Sequence, residues 1–217
     1  ESFVAVYVHH HVPEFMGQIE ALTLAMNATV ADDDADRLSS RPADLRGEPR
    51  ATERARELME GNRGHLTVPF MISVCRDHER PPDLSRPWDD DNVCTHGYSR
   101  DTRGSGICVA DRRHPALLSV LWAALNLPCR TPYIPFYLGV NHFPKDFSTA
   151  AAYEVFEALG RALEKVPRFK PEVRQCWEAF EFQTLREAGP LERKVRKLAE
   201  QGKAEEAAVL LTEFTAG

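Results

Sequence analysis

Residues 148–163 read STAAAYEVFEALGRAL, and at this point the chain changes its pattern. Phe156, Leu159 and Leu163 recur at the three- and four-residue spacing that gives a helix one apolar face. Three further stripes follow at helical spacing: Val173, Trp177, Phe180 and Thr184; Leu191, Val195 and Leu198; Ala207, Leu210, Leu211 and Phe214. Because Gly189-Pro190 falls between two of these stripes, we expect four separate helices from residue 148 onward.

The chain before this point reads as strands and loops. Ser2 to Val8 (SFVAVYV) is rich in β-branched and aromatic residues, which predicts a buried strand. Ile19 to Val30 alternates between apolar and polar residues over its middle, which predicts a second strand. A short helix around Leu58 should follow, and Gly61 should end it.

The segments between residues 67 and 139 are short. We expect a strand or buried turn at Thr67–Val74, strands at Asn92–Thr95, Ile107–Ala110 and Leu117–Ala124, and an extended aromatic segment at Arg130–Gly139. Loops rich in proline and polar residues are predicted for 32–49 and 78–91.

Strands that come first and helices that come last favour an α+β fold over an alternating α/β fold. A length of 217 residues suits a single domain over 1–217. Within it we expect a strand-rich part at 1–145 and a helical tail at 148–217. Trp177 and Phe180 should be buried where the tail packs on the rest of the domain.

Charge and apolar content exclude two classes of partner. Lys and Arg number 27 against 33 Asp and Glu, so the net charge is −6 and we expect no nucleic-acid partner. Since no apolar run approaches the roughly 18–20 residues of a membrane helix, we expect no membrane partner. The 5 cysteines are irregularly spaced and no secretion leader is visible, so we expect a reducing, cytoplasmic compartment.

Cys94 and His96 place two soft donor atoms close together, which suggests a zinc site as one hypothesis. A zinc ion needs about two more ligands. The residues that could supply them are Cys75, His78, Cys108 and Cys129. Since the chain has no CxxC pair, the pattern is more typical of a buried cysteine followed by a polar loop residue. We therefore predict no metal and no cofactor.

Two kinds of polar position stand out. Asn27 lies on an otherwise apolar strand, where its amide either satisfies a neighbouring loop or donates to a developing oxyanion. Arg50, Arg54 and Arg56 crowd the short helix. Such charges usually face solvent, but one of them could point inward and orient a carboxylate or a nucleophile.

Several segments occur in a characteristic order. They are Ala25–Val30 (AMNATV), Glu53–Met59 (ERARELM), Cys75–His78 (CRDH), Val93–His96 (VCTH), Leu121–Ala124 with Pro128-Cys129 (LWAA, PC), Tyr133–Phe136 (YIPF) and Leu210–Thr215 (LLTEFT). This order resembles the C-terminal part of the N-terminal-nucleophile hydrolases, in the branch of the cysteine dipeptidases and penicillin acyltransferase-like enzymes. The chain departs from the family before the Pro-Cys pair, where the usual glycine is missing and the sequence reads Leu125-Asn126-Leu127.

The resemblance implies a four-layer αββα sandwich and hydrolysis or acyl transfer at an amide bond. Self-cleavage would expose a cysteine nucleophile as a free N-terminus, with its own α-amine as base. The resemblance also implies that Asn27 donates to the oxyanion. Arg54, Arg50 and His78 would bind the substrate, a short peptide or an acylated small molecule.

The position of the nucleophile is the main departure from the family. This chain begins Glu1-Ser2 and its cysteines are internal, so we expect the nucleophile on an upstream segment or a partner chain. Two alternatives remain. The same fold could serve as a binding or scaffold chain without catalysis, or the chain could be a zinc protein built on Cys94 and His96.

Overall fold

The chain forms two compact units. The computed structural model describes residues 2–9, 23–26, 49–63, 65–78, 92–94, 102–147 and 149–216, with side-chain surroundings from Arg54 onward. The N-terminal unit comprises Phe3–Ile107 and Leu127–Cys129; the C-terminal unit comprises Glu1–Ser2, Cys108–Asn126 and Arg130–Gly217. A single domain over 1–217 stays a prediction.

Two antiparallel strands open the N-terminal unit. β1 (Ser2–His9) pairs with β2 (Thr23–Met26), and Ala5 lies opposite Ala25. β-Branched and aromatic side chains dominate β1, as a pleated, half-buried surface favours. The strand predicted at Ser2–Val8 is confirmed. The strand predicted at Ile19–Val30 is confirmed over 23–26, and the rest of it lies outside the described residues.

The first helix, α1 (Pro49–Gly61), begins with a proline, whose fixed φ suits the first helical turn. It ends at Gly61, as the sequence predicts. The next segment differs from the prediction: Val68–Cys75 is a helix, α2, and neither a strand nor a turn.

The physical reason lies at the start of α2. The Thr67 hydroxyl caps the helix by accepting a hydrogen bond from the Phe70 N–H at 3.3 Å, and Pro69 occupies its first turn. Four of its eight residues are buried, namely Met71, Ile72, Val74 and Cys75. A short helix that is apolar around most of its circumference shows no helical period, so its sequence looks like a buried strand.

β3 (Thr102–Ala110) continues the chain from the N-terminal into the C-terminal unit. In the C-terminal unit it neighbours β4 (Val120–Ala124), which pairs antiparallel with β5 (Ile134–Tyr137). β5 is the edge strand, where Pro135 is tolerated although it has no N–H for the ladder.

Three of the short-segment predictions are confirmed in part. The strand at Ile107–Ala110 is confirmed within β3, and Arg130–Gly139 is extended over β5. The strand predicted at Leu117–Ala124 is confirmed from Val120, whereas Leu117 and Leu118 belong to a short helix, α3 (Pro115–Leu118). Residues 92–94 form a bend, so the strand predicted at Asn92–Thr95 is wrong there.

Three helices complete the C-terminal unit: α4 (Ala151–Lys165), α5 (Lys170–Glu200) and α6 (Ala204–Ala216). The sequence predicts four, because Gly189-Pro190 looks like a boundary. That prediction is wrong, since α5 runs through Pro190 for 31 residues. A helical proline loses one backbone hydrogen bond and its ring crowds the preceding residue. Gly189 carries no Cβ, which reduces that crowding.

The buried face of α5 also differs from the prediction. Phe180 is 43% exposed, so its expected burial is wrong. Trp177 is half-buried, and its indole N–H donates to the Arg130 carbonyl at 3.0 Å. The buried Glu181 accepts a hydrogen bond from the Tyr133 N–H at 2.7 Å. The face that packs on the unit therefore continues from Glu181 through Ala188 and Val195, and it is partly polar.

Helices together with antiparallel strand pairs make this an α+β protein, as the sequence predicts. Among the described residues, no helix combines the length and the apolar character that a membrane crossing requires.

Candidate functional site

Three metal-binding side chains meet in the N-terminal unit. The donor atoms of His78, Cys94 and Cys129 all lie within 4.8 Å of one another, and we call these three residues the Cys–His cluster. Cys94 is fully buried, Cys129 is half-buried and His78 is exposed. The cluster therefore combines a thiol shielded from water with an imidazole that solvent can reach.

Backbone contacts hold the three segments of the cluster together. The Cys94 N–H donates to the Asp77 carbonyl at 3.3 Å, which fixes the bend at 92–94 beside His78. The Arg76 guanidinium donates to the Pro128 carbonyl at 2.7 Å, although 52 residues separate the two in sequence. These two bonds place Cys94 and Cys129 against the end of α2.

Arg54 on α1 also fixes the segment that contains Asp77 and His78. Arg54 donates from Nε to Asp77 Oδ2 at 3.2 Å and from Nη2 to Asp77 Oδ1 at 3.3 Å. The side chains are 22% and 13% exposed, so the pair is partly shielded from solvent. A two-bond arginine–carboxylate pair sets geometry as well as charge. Arg54 thereby orients the residue next to His78.

The protonation of Cys94 follows from its surroundings. Burial raises the pKa of the Cys94 thiol well above its usual value, and the hydrogen bond and charge interaction with Cys129 raise it further. Cys75 adds a smaller increase of the same sign. Without a cation Cys94 is therefore a neutral thiol at neutral pH, and a neutral thiol is a weak nucleophile.

The other cysteines fall into two groups. Cys75 ends α2 and is buried, and its thiol is close enough to Cys94 to affect the Cys94 pKa. Cys108 is half-buried and Cys176 is exposed on α5, and neither belongs to the Cys–His cluster. All five cysteines lie among the described residues, and none of them forms a disulfide.

The structure brings together some of the residues that the sequence singled out. Arg54 points inward, as one of the helix arginines was expected to do, and its carboxylate partner is Asp77. Arg56 is exposed on the same helix. Arg50 belongs to α1, but its side chain, like the whole of Asn27, lies outside the described residues. Substrate roles for these residues stay predictions.

The zinc hypothesis rested on Cys94 and His96, and His96 lies outside the described residues. His78 and Cys129, both considered as additional ligands, meet Cys94 in the fold. No short spacing in the sequence joins the three residues of the Cys–His cluster. Cys129 could not be assigned to it from spacing, because the Arg76–Pro128 contact that brings it there joins distant parts of the chain.

In comparisons with protein-family models, curated proteins and solved structures, the chain has no match. The geometry of the Cys–His cluster and of the segments that form it is therefore the main indication of what the chain does.

Proposed function

We propose that this chain is part of a cysteine-dependent N-terminal-nucleophile amidohydrolase or acyltransferase. One observation carries the proposal. Four of the segments that resemble this family, which are far apart in sequence, converge at one place in the N-terminal unit. They are the arginine-rich helix at 53–59, Cys75–His78, the segment that begins at Val93, and Pro128-Cys129.

Specific bonds produce this convergence. Arg54 of the helix binds Asp77 across 23 residues, and the Asp77 carbonyl accepts from the Cys94 N–H. Arg76 binds the Pro128 carbonyl across 52 residues. Polar side chains that pair over such separations fix the relative positions of several loops. Loops that a scaffold positions rigidly often carry function.

In the proposed reaction, a cysteine thiolate attacks an amide carbonyl and expels the amine, which takes up a proton. Water or a second amine then accepts the acyl group from the cysteine. The attacking cysteine would be an N-terminal residue, because its own α-amine serves as the base. The internal Cys94 is unsuited to that role, since its pKa is raised and its thiol is buried. We therefore assign the nucleophile to an upstream segment or a partner chain.

The remaining roles follow the family resemblance. Asn27 would donate to the oxyanion, and removal of one such donor lowers the rate by about 100- to 1,000-fold. Arg50, Arg54 or His78 would contact the substrate, a short peptide or an acylated small molecule. The αββα sandwich and a cytoplasmic location belong to the same proposal, and an odd number of irregularly spaced cysteines favours a reducing compartment.

The test is an assay of the complete protein, with its natural N-terminus, on acylated chromogenic amines. N-terminal sequencing should find a cysteine at one chain terminus, and its alkylation should abolish turnover. Asn27→Ala should lower kcat and kcat/KM together, with KM little changed. A protein without an N-terminal cysteine and without turnover would contradict the proposal.

Arg54→Gln and Arg56→Gln form a matched pair on α1 for the same assay. Only Arg54 reaches Asp77, whereas Arg56 is exposed. We expect Arg54→Gln to lower activity and Arg56→Gln to leave it unchanged. Equal effects of the two changes would show that the Arg54–Asp77 pair does not support the site.

A further inference from the structure

The Cys–His cluster has the dimensions of a zinc site. In a tetrahedral zinc site, Zn–S bonds of about 2.3 Å and Zn–N bonds of about 2.0 Å separate the ligand atoms by about 3.5–3.8 Å. The donor atoms of His78, Cys94 and Cys129 already lie within 4.8 Å of one another. Rotations of side chains that move each atom by less than about 1 Å would complete the geometry.

We propose that His78, Cys94 and Cys129 bind a Zn²⁺ ion. This site is independent of the proposed amide chemistry, which needs no metal. It keeps Cys94 from the sequence-based zinc hypothesis, takes His78 and Cys129 from the residues considered there as additional ligands, and does not include His96.

The donor types favour zinc over the other common ions. Two thiolates with one imidazole form a soft set of nitrogen and sulfur ligands, whereas Mg²⁺ and Ca²⁺ prefer oxygen. Zinc binds thiolates, so the thiol protons of the cysteines leave when the ion enters. The charge of the ion would offset the repulsion that two neighbouring thiolates would otherwise have for each other.

Cys75 ends α2 and is buried, but its thiol is not one of the three donor atoms that lie within 4.8 Å of one another. The proposed ligands are therefore the three residues of the Cys–His cluster. Two thiolates, one neutral imidazole and Zn²⁺ carry no net charge.

Two arginines hold the segments that carry the ligands. Arg76 holds Pro128, the neighbour of Cys129, and Arg54 holds Asp77, the neighbour of His78. These contacts fix the backbone next to two of the ligands without any help from an ion.

The experiment uses the complete protein under reducing conditions. The protein is stripped with a chelator and titrated with Zn²⁺, and separately with Co²⁺, whose thiolate charge-transfer absorption reports sulfur ligands. We expect one ion per chain and absorption typical of cobalt bound to thiolates. Zinc should also raise the melting temperature, because it binds the folded state.

Substitutions distinguish the proposed zinc ligands from residues that do not bind the ion. His78→Asn and Cys129→Ser should each weaken Zn²⁺ binding by about tenfold or more. His78 is exposed, so His78→Asn should fold normally, which circular dichroism would verify. Cys108→Ser, Cys176→Ser and His142→Asn are the controls, since these residues lie outside the cluster, and each should bind Zn²⁺ as the wild type does.

Several outcomes would overturn the proposal. A stripped, reduced protein that binds no Zn²⁺ would do so, and so would equal losses in the control and ligand variants. Cobalt bound without thiolate absorption would exclude Cys94 and Cys129. A Cys94–Cys129 disulfide that forms readily in air, in a protein indifferent to zinc, would identify a redox pair instead.

The zinc and amide proposals can fail separately. If zinc removal leaves the turnover of acylated amines intact, the ion is structural. If zinc binds to a protein without an N-terminal cysteine, the metal site stands and the amide proposal falls.

Discussion

Tyr137 shows what a single buried hydroxyl does in the C-terminal unit. Its ring is fully buried, and its hydroxyl donates to Glu192 Oε1 at 2.7 Å. Burial raises the pKa of Tyr137 strongly, and the charge and hydrogen bond of Glu192 raise it further. This hydroxyl thus keeps its proton in the folded state at pH values where a free tyrosine loses it.

The first prediction concerns pH. Because the folded-state pKa of Tyr137 exceeds the unfolded value of about 10, its contribution to stability is complete below about pH 10 and is lost at higher pH. Tyr137→Phe should lower the free energy of unfolding by about 1–2 kcal/mol at pH 8. The variant should also lack this part of the alkaline loss, as measured by urea unfolding from pH 8 to 11.

Tyr153→Phe is the control for this measurement, since Tyr153 is a half-buried tyrosine on α4. This substitution should change neither the free energy of unfolding at pH 8 nor its loss at alkaline pH appreciably. If Tyr137→Phe and Tyr153→Phe behaved alike, the Tyr137–Glu192 bond would carry no stability.

At the scale of elements, α5 continues through a residue that normally ends helices. Pro190 cannot donate a backbone hydrogen bond, so α5 is maintained by its packing through Ala188 and Val195 on either side. Tertiary burial therefore outweighs local propensity here.

A second prediction tests this continuity. Pro190→Ala should restore a backbone donor and raise the free energy of unfolding by about 1–3 kcal/mol. Pro171→Ala is the matched control in the same helix. Pro171 lies in the first turn of α5, where proline is favourable, so its replacement should bring no gain. Thermal unfolding of both variants measures the change in stability. A gain in stability in Pro171→Ala alone would contradict a continuous helix.

The elements also show how far the sequence could be interpreted. β-Branched and aromatic residues suffice to predict β1, because local composition determines such a strand. In α2, burial on most sides removed the helical period, and the cap at Thr67 was the local signal that could have identified it. Cys129 joins His78 and Cys94 through folding at long range, which no local pattern encodes.

At the scale of the whole molecule, the chain passes from one unit to the other and back again. Leu127–Cys129 belongs to the N-terminal unit, although the residues on both sides of it belong to the other. Asn126, just before it, has a φ of 137°, which few residues other than glycine adopt. The Arg76–Pro128 bond then fixes the segment.

The third prediction follows from that bond. Arg76→Gln should lower the free energy of unfolding by about 1–3 kcal/mol and expose Cys129. Peptide mapping after brief alkylation should show faster labelling of Cys129. Arg63→Gln is the control, because Arg63 is exposed on the same unit, and it should leave labelling unchanged. Unchanged labelling in both would mean that other contacts hold the segment.

Because of this path, neither unit corresponds to one uninterrupted stretch of coding sequence. A ribosome that has passed Ile107 must translate residues 108–126 before it supplies the last three residues of the N-terminal unit. That unit therefore cannot be completed strictly before the other begins to be synthesised. At the gene level, recombination of one continuous stretch could not transfer either unit alone. The two units would therefore be inherited together.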